Sequence, residues 1–262
     1  MEYPKPKGVH PIPLDSLDLR PDDEIDYDLL HPGIVKDEKN IWFFWLTGYA
    51  SMYGYTQRNI RAWHRRFAKQ GWVVRVLDRQ PGSLLNVANF LDTQDPALFP
   101  QAFSEGTLTG TYAAQHNSDL VRWPLLLEYG GIYADVGMIQ IGDVDRLWNA
   151  TVGDPDTPYE VMSYVSGSAD SMGRCLTNYF LGCHKDNPFF ERWHRLLLSL
   201  WAADGGKTST EGMHASPLFK GLPMMGGNGL AFEEDGKHFS EDETSKMLTD
   251  YIIQGQVSDI PS

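Results

Sequence analysis

The residues best suited to chemistry are a few carboxylates, arginines and a histidine gathered in the middle of the chain. Asp119 and Arg122 stand three residues apart in Asn117-Ser118-Asp119-Leu120-Val121-Arg122, and Asp135 closes the apolar run Ile132-Tyr133-Ala134. Gly137 follows two residues on, so the Asp135 carboxylate lies where a strand bends or bulges, a usual place for a functional group. Taken alone, Asp119 and Arg122 need be no more than an i, i+3 ion pair on a helix, worth roughly a few tenths of a kcal/mol. Asp143-Val144-Asp145 adds two carboxylates, but it precedes Arg146-Leu147-Trp148 as an N-terminal helix cap does. Arg58, Arg61, Arg65 and Arg66 could hold a phosphate or another acidic group, or simply form a solvated helix face. Arg58, close to the end of the first strand, is the best placed of them for a ligand. His116 precedes Ser118-Asp119 and could line a pocket, whereas His64, His184 and His194 read as surface or core residues. No histidine pair has metal-ligand spacing on a helix. The Trp and Tyr residues of 42–55 read first as core, although Tyr49, Tyr53 and Tyr55 could stack on a ring or base.

These groups need a scaffold, and the chain spells one. Residues 41–46 are apolar on both alternations and predict a buried central strand. In 56–69, Ile60, Trp63 and Phe67 share one helical face, and Gly71 ends the helix. Residues 72–77 supply a second β-rich run, giving a strand, helix, strand unit and a parallel sheet. Short helices are expected at 86–92 and 97–103. A helix beginning at Asn117 or Ser118 runs to Gly130-Gly131, with Pro124 inside it. The strand at 132–135 is expected to resume at 138–141. Another strand is expected at 178–183, and Asn187-Pro188 opens a helix over 189–200. Residues 202–247 read as loop-rich, with Gly226-Gly227-Asn228-Gly229 and Glu233-Glu234-Asp235, and 250–254 as a short helix or strand.

With 262 residues, 42% of them hydrophobic, the chain can bury a sizeable core. Its 22 Lys and Arg against 35 Asp and Glu leave a net charge of −13, which argues against a general nucleic-acid binder. Cys175 and Cys183 match no common zinc spacing and read as ordinary thiols. Residues 1–38, proline-rich and without apolar periodicity, read as an extended N-terminal arm, and 39–262 as a single domain. The N-terminus lacks the pattern of a signal peptide, and no apolar run reaches the ~20 residues that span a membrane. The expectation is a soluble, cytoplasmic protein.

The composite Ser118-Asp119-x-x-Arg122, then Leu-Leu-x-x-Gly130-Gly131-Ile-Tyr133-x-Asp135, resembles the sugar-binding region, with its DxD motif, of glycosyltransferase family 32. It is more closely similar to the fungal branch labelled capsular polysaccharide synthesis proteins. The similarity runs from about Trp42 onward through Gln57-Arg58-Asn59, Glu105-Gly106, Arg146-Leu147, Asn187-Pro188-Phe189 and Glu211-Gly212. The resemblance implies an α/β fold of the GT-A type, with a mostly parallel central sheet flanked by helices. It implies a retaining hexosyltransferase whose partners are a nucleotide sugar and an unidentified acceptor. It also implies a longer C-terminus than this chain has. Asp135, Asp119 and Arg122 then form the donor site. Around them the resemblance places Trp45, Arg58, His116, Ser118, Tyr133, Gly137, Asn178 and Glu211. It further implies a divalent metal, Mn or Mg, held by the DxD carboxylates against the donor's diphosphate. Here the motif reads Asp135-Val136-Gly137, so the last ligand position has no side chain and Asp135 is left alone.

Two other classes fit the same residues. The Asp-Val-Gly variant resembles fungal proteins of secondary metabolism, among them arginine-containing cyclodipeptide synthases that use aminoacyl-tRNA. Asp119, Asp135 or Glu211 would face the arginine side chain, and the Arg58 to Arg66 face would have to bind tRNA against the overall charge. The other class is a non-catalytic binding module that keeps the fold without the metal chemistry.

Overall fold

A computed structural model describes residues 11–139, 141–166, 175–225, 231–234 and 236–257. The N-terminal segment is not extended throughout. Asp22, Asp23 and Glu24 favour the first turn of α1 (Asp22–Leu30), and Ile25 and Leu29 on its inner face are fully buried. Two apolar residues are too few to show as a periodicity, but they suffice to seat a nine-residue helix.

The strand run becomes β1 (Asn40–Phe44), buried at every position as a strand covered on both faces must be. The amphipathic helix follows as α2 (Gly54–Phe67) and leads into β2 (Val73–Leu77). A single 3-10 turn at Val87–Asn89 and the short α3 (Gln101–Ser104) stand where two helices were expected. The long helix α4 (Ala113–Tyr129) starts earlier than its sequence cap suggested and carries Pro124 buried within it. Gly130 and Gly131, both at positive φ, turn the chain into β3 (Gly131–Ala134). A Cβ on Gly131 would stand 2.5 Å from the Asn40 carbonyl oxygen, so only glycine permits this approach of β3 to β1. Trp42 Nε1 donates to the Gly130 carbonyl at 2.9 Å, fixing the same corner.

The strand does not resume after Asp135. The chain turns, with Met138 N donating to the Asp135 carbonyl at 2.9 Å, and Gln140 lies outside the described residues. Helix α5 (Val144–Asn149) is capped by Asp143, whose Oδ1 accepts from Arg146 N at 3.0 Å. Strand β4 (Val161–Ser166) was not evident from the sequence, and β5 (Cys175–Cys183) is longer than the run that predicted it. Cys183 is buried, which pushes its thiol pKa up; the Cys175 side chain lies outside the described residues. Asn187 accepts from Phe190 N at 3.0 Å and caps α6 (Pro188–Trp201). A small hairpin of β6 (Phe232–Glu234) and β7 (Lys237–Phe239) precedes α7 (Glu241–Tyr251) and α8 (Ile253–Gln256). Helix α7 opens on a capping box of Ser240 and Glu243 inside the segment that read as loop. The Gly226-Gly227-Asn228-Gly229 stretch and Asp235 lie outside the described residues.

The main sheet has the order β2-β1-β3-β5-β4. Strands β2, β1 and β3 are parallel, β5 runs against β3, and β4 against β5, so four of the five point the same way. Side chains of β1 alternate between two cores. Ile41 and Phe43 pack with Ile60, Trp63 and Phe67, while Trp42 and Phe44 pack with Leu120, Trp123 and the α6 residues Trp193 and Leu197. The sheet is therefore covered by helices on both faces, and its free end lies at Phe44 and Ala134.

Candidate functional site

At those strand ends a cavity of about 540 Å³ opens, lined among others by Trp45, Ser118, Asp119, Arg122, Asp135, Gly137 and Asn178. Its floor is one polar network centred on Arg122, whose side chain is only 3% exposed. The guanidinium contacts Asp119 Oδ1 at 2.8 Å and Asp135 Oδ1 at 3.3 Å. It also donates to the Asn178 carbonyl and to Ser118 Oγ, and lies 4.8 Å from the centre of the Tyr133 ring. Tyr133 is buried beneath it, with its hydroxyl 2.6 Å from Ser118 Oγ. His116 is buried too, bridging Asp119 Oδ2 at 3.1 Å and Thr210 Oγ1 at 3.1 Å. Asp119 is thus engaged at both oxygens, whereas the Asp135 side chain is 42% exposed and faces the cavity.

The position of Asp135 is set by backbone bonds. Its N–H donates to the Tyr179 carbonyl at 2.9 Å. Asn59 Nδ2 donates to the carbonyls of Val136 (2.8 Å) and Met138 (2.7 Å), and Trp63 Nε1 donates to Met138 O at 3.0 Å. Helix α2 therefore clamps the turn that carries the carboxylate.

The electrostatics follow from this packing. Burial of its surroundings raises the Asp135 pKa above the usual carboxylate range; Arg122 opposes the rise and Asp119 adds to it. Burial alone would favour neutral Arg122, but the two carboxylates outweigh it and hold the guanidinium charged. Tyr133 is pushed up by burial, and Tyr251 at the cavity wall by burial together with Asp119 and Asp135.

Sequence and structure differ at the rim. Arg58 is exposed on α2 and outside the cavity lining; its neighbour Asn59 is the residue that turns toward the site. Arg61 and Arg65 pair with Asp26 at 2.6 Å and Asp22 at 2.7 Å, so this basic face is occupied by the chain's own N-terminal segment. Glu211 is exposed and outside the lining as well. Tyr251 and Ile252 line the cavity without having been expected there. Gln254 on α8, 1% exposed, accepts from Asn178 Nδ2 at 3.0 Å and donates to the Asp119 carbonyl. A glutamine closing an apolar Tyr-Ile-Ile triplet gives no local signal of such a role; only the tertiary pairing of α8 with β5 brings it in.

The sequence profile described as capsular polysaccharide synthesis protein matches residues 21–206. The chain belongs to this family. Its similar proteins include the O-glycosyltransferase braB of Annulohypoxylon truncatum, 38% identical over 221 residues, covering 84% of this chain and 50% of that protein. The probable glycosyltransferase FCK3 of Fusarium pseudograminearum is 37% identical over 78% of this chain and 49% of its own length. The O-glycosyltransferase PaGT of Phomopsis amygdali is 34% identical over 95% of this chain and 59% of its own. The chain spans about half the length of the curated relatives it matches. A solved structure, PaToxG Glycosyltransferase, overlaps 68% of this chain and 66% of its own at 18% identity with a TM-score of 0.38, too slight an overlap to assign a fold by itself. The mostly parallel sheet between two helical layers is the architecture expected from the sequence.

Toward a manganese or magnesium ion the cavity presents a single exposed carboxylate. Asp135 offers one carboxylate, Gly137 offers none, and among the described residues no group of three His, Cys, Asp or Glu could hold a metal ion. Space is not the obstacle, since a Cβ built on Gly137 meets nothing within 4 Å. Among the described residues no helix is long and apolar enough to cross a membrane.

Proposed function

We propose that this chain transfers a hexose from a nucleotide sugar to an acceptor hydroxyl in the cavity at the ends of β1 and β3. The observation that carries the reading is the presentation of Asp135. It is a single carboxylate aimed into a cavity at parallel strand ends, where α/β folds bind ligands, and it is backed by a buried arginine. The names of the similar fungal proteins, glycosyltransferases throughout, support the reaction class.

In this reading Asp135 is the group that touches the donor, accepting hydrogen bonds from its sugar or ribose hydroxyls. Arg122, nearly closed to solvent, contacts Asp135 and favours its charged form, while Asp119 anchors the guanidinium, so neither reaches for phosphate. The acceptor oxygen bonds to the anomeric carbon as the bond from that carbon to the diphosphate oxygen breaks. The hydroxyl proton passes to the departing diphosphate, which leaves as nucleoside diphosphate. Attack on the face from which the diphosphate departs retains configuration and needs no protein nucleophile, consistent with a floor of carboxylates, amide and guanidinium. Asp119, Asp135 and Arg122 together carry a net −1, so these three side chains do not themselves neutralise the bound diphosphate.

The aminoacyl-tRNA alternative is not favoured by the similar proteins, and two arginines of the face it requires, Arg61 and Arg65, are already paired with Asp26 and Asp22. The test is to incubate the protein with a panel of nucleotide sugars, with and without manganese, following thermal stabilisation and release of nucleoside diphosphate. One donor should stabilise the fold by several degrees, since a ligand at 100 times its Kd adds about 2.7 kcal/mol. No response to any donor under either condition would sink the proposal.

A further inference from the structure

Beside the polar floor stands a row of aromatic rings that the donor site does not use. Trp45 lines the cavity directly after β1. Its ring meets Tyr53 edge-on, with centroids 5.9 Å apart and planes at 79°. Tyr53 in turn lies parallel to Tyr55, with centroids again 5.9 Å apart and planes at 3°. Tyr53 and Tyr55 are 64% and 69% exposed, although nothing in the packing of α2 requires two open tyrosines there. Contiguous exposed apolar rings mark contact sites, whereas single exposed ones are ordinary surface.

The backbone that carries the row is fixed, and Trp45 joins the row to the cavity. The Tyr53 carbonyl accepts from Thr56 N at 2.9 Å, Gln57 N at 3.0 Å and Thr56 Oγ1 at 2.7 Å, locking the start of α2. Tyr55 is one helical turn before Asn59, on the same face, and Asn59 holds the Val136 and Met138 carbonyls of the Asp135 turn. Phe44, Leu46 and Val136 continue the apolar wall inside the cavity. By contrast, Asp119, Arg122 and Asn178 spend their hydrogen bonds on one another at the floor.

From this division of surfaces we infer that Trp45, Tyr53 and Tyr55 form the acceptor subsite, and that the acceptor is a flat, apolar ring system bearing a hydroxyl. The rings supply stacking area at little entropic cost, and Tyr53 and Tyr55, outside the cavity lining, extend that area beyond Trp45. On the Trp45 side the lining is mainly apolar, with Phe44, Leu46 and Val136 beside the one hydroxyl of Thr47, which favours an apolar acceptor over a sugar. The inference rests on the transfer reaction proposed above for the role of the hydroxyl, but not for the binding itself.

The test uses the whole chain with 4-methylumbelliferone as a flat hydroxylated probe and methyl glucoside as its polar counterpart, both measured by equilibrium dialysis. The wild-type chain should bind the flat probe at least tenfold more tightly than the glucoside. Tyr53→Ala and Tyr55→Ala should each weaken the flat probe about threefold and together at least tenfold, while the Phe variants bind as the parent does. Both residues are exposed, so thermal unfolding of the variants should match the parent. Acceptor-free release of nucleoside diphosphate from the donor should stay within twofold. Equal binding of the two probes, or an unchanged Kd in the double Ala variant, would overturn the inference. A parallel fall in donor release would also overturn it, assigning the rings to the nucleotide base. If no donor is turned over by the parent but the Ala variants still lose the flat probe, the transfer reaction fails and the subsite stands.

Discussion

Replacing Asp135 with asparagine separates a catalytic carboxylate from a structural one, and the expected sizes can be worked out from the site. The side chain loses one contact, to Arg122 at 3.3 Å, and is 42% exposed, so solvent screening leaves that pair worth about 0.5 kcal/mol at most. Arg122 keeps Asp119, Ser118 and the Asn178 carbonyl and is not left unpaired. Against this loss stands a gain. Because burial raises the Asp135 pKa in the folded chain, the folded state holds this proton more tightly than the unfolded one. Its contribution to stability is therefore full below the unfolded carboxylate value of about 4, and falls as pH rises through the folded value. At neutral pH the charged carboxylate is a small burden that asparagine lifts. The two effects oppose each other, and the net change should lie within about 1 kcal/mol, or roughly 4 °C in Tm. Any gain over the parent should be larger at pH 7 than at pH 4. Donor turnover should fall on the order of 100- to 1000-fold, the size seen when a preorganised polar group is removed from a reacting centre. Asp119→Asn is the internal contrast. It takes the closer carboxylate from a buried arginine and should cost about 2–3 kcal/mol. Thermal unfolding at the two pH values and nucleoside diphosphate release decide the matter. A loss of more than about 2 kcal/mol in Asp135→Asn, or activity within threefold of the parent, would refute the reasoning.

Gly137→Asp places a second carboxylate where a Cβ meets nothing, so folding should change by less than about 0.5 kcal/mol. Manganese with nucleoside diphosphate should then raise Tm more in the variant than in the parent; equal shifts would mean that the added carboxylate does not reach the ion. Gln254→Ala removes both the Asn178 and the Asp119 bonds and should cost about 1–3 kcal/mol, with turnover falling further than donor binding. His194, 2% exposed on α6, is held by burial at about 4, below its ordinary 6.5. Its folded value is depressed, so the stability it protects is present above pH 6.5 and is lost as pH falls toward 4. Urea unfolding of His194→Leu should show a shallower decline over that window, by up to about 1.4 kcal/mol per pH unit.

The parts of the fold legible in the sequence are those whose pattern is local. Strand β1 is apolar from Ile41 to Phe44 because it is central, α2 shows its buried face through Ile60, Trp63 and Phe67, and α6 announces itself through Asn187-Pro188. What escaped depends on distant partners. Helix α1 is held by Arg61 and Arg65, more than thirty residues away, and α7 by a capping box in a segment dominated by polar residues. The site divides in the same way. Asp119, Arg122 and Asp135 come from one continuous helix, turn and strand, whereas Gln254 and Tyr251 arrive from the far end of the chain. Arg58 was singled out among the arginines and Asn59 was not singled out at all, because charge is visible in a sequence and helical phase at a helix start is not.

The glycine corner between α4 and β3 acts as the fulcrum of a lever. Arg122 lies eight residues before Gly130 along α4, a span of roughly 12 Å at 1.5 Å per residue. A tilt of about 5° at that corner would carry the guanidinium roughly 1 Å from Asp135, the scale of misplacement that costs enzymes about a hundredfold in rate. The contact of Gly131 with the Asn40 carbonyl therefore sets an angular tolerance on the opposite end of the helix. A bulkier residue at either glycine should lower both stability and turnover, with every side chain of the polar floor unchanged.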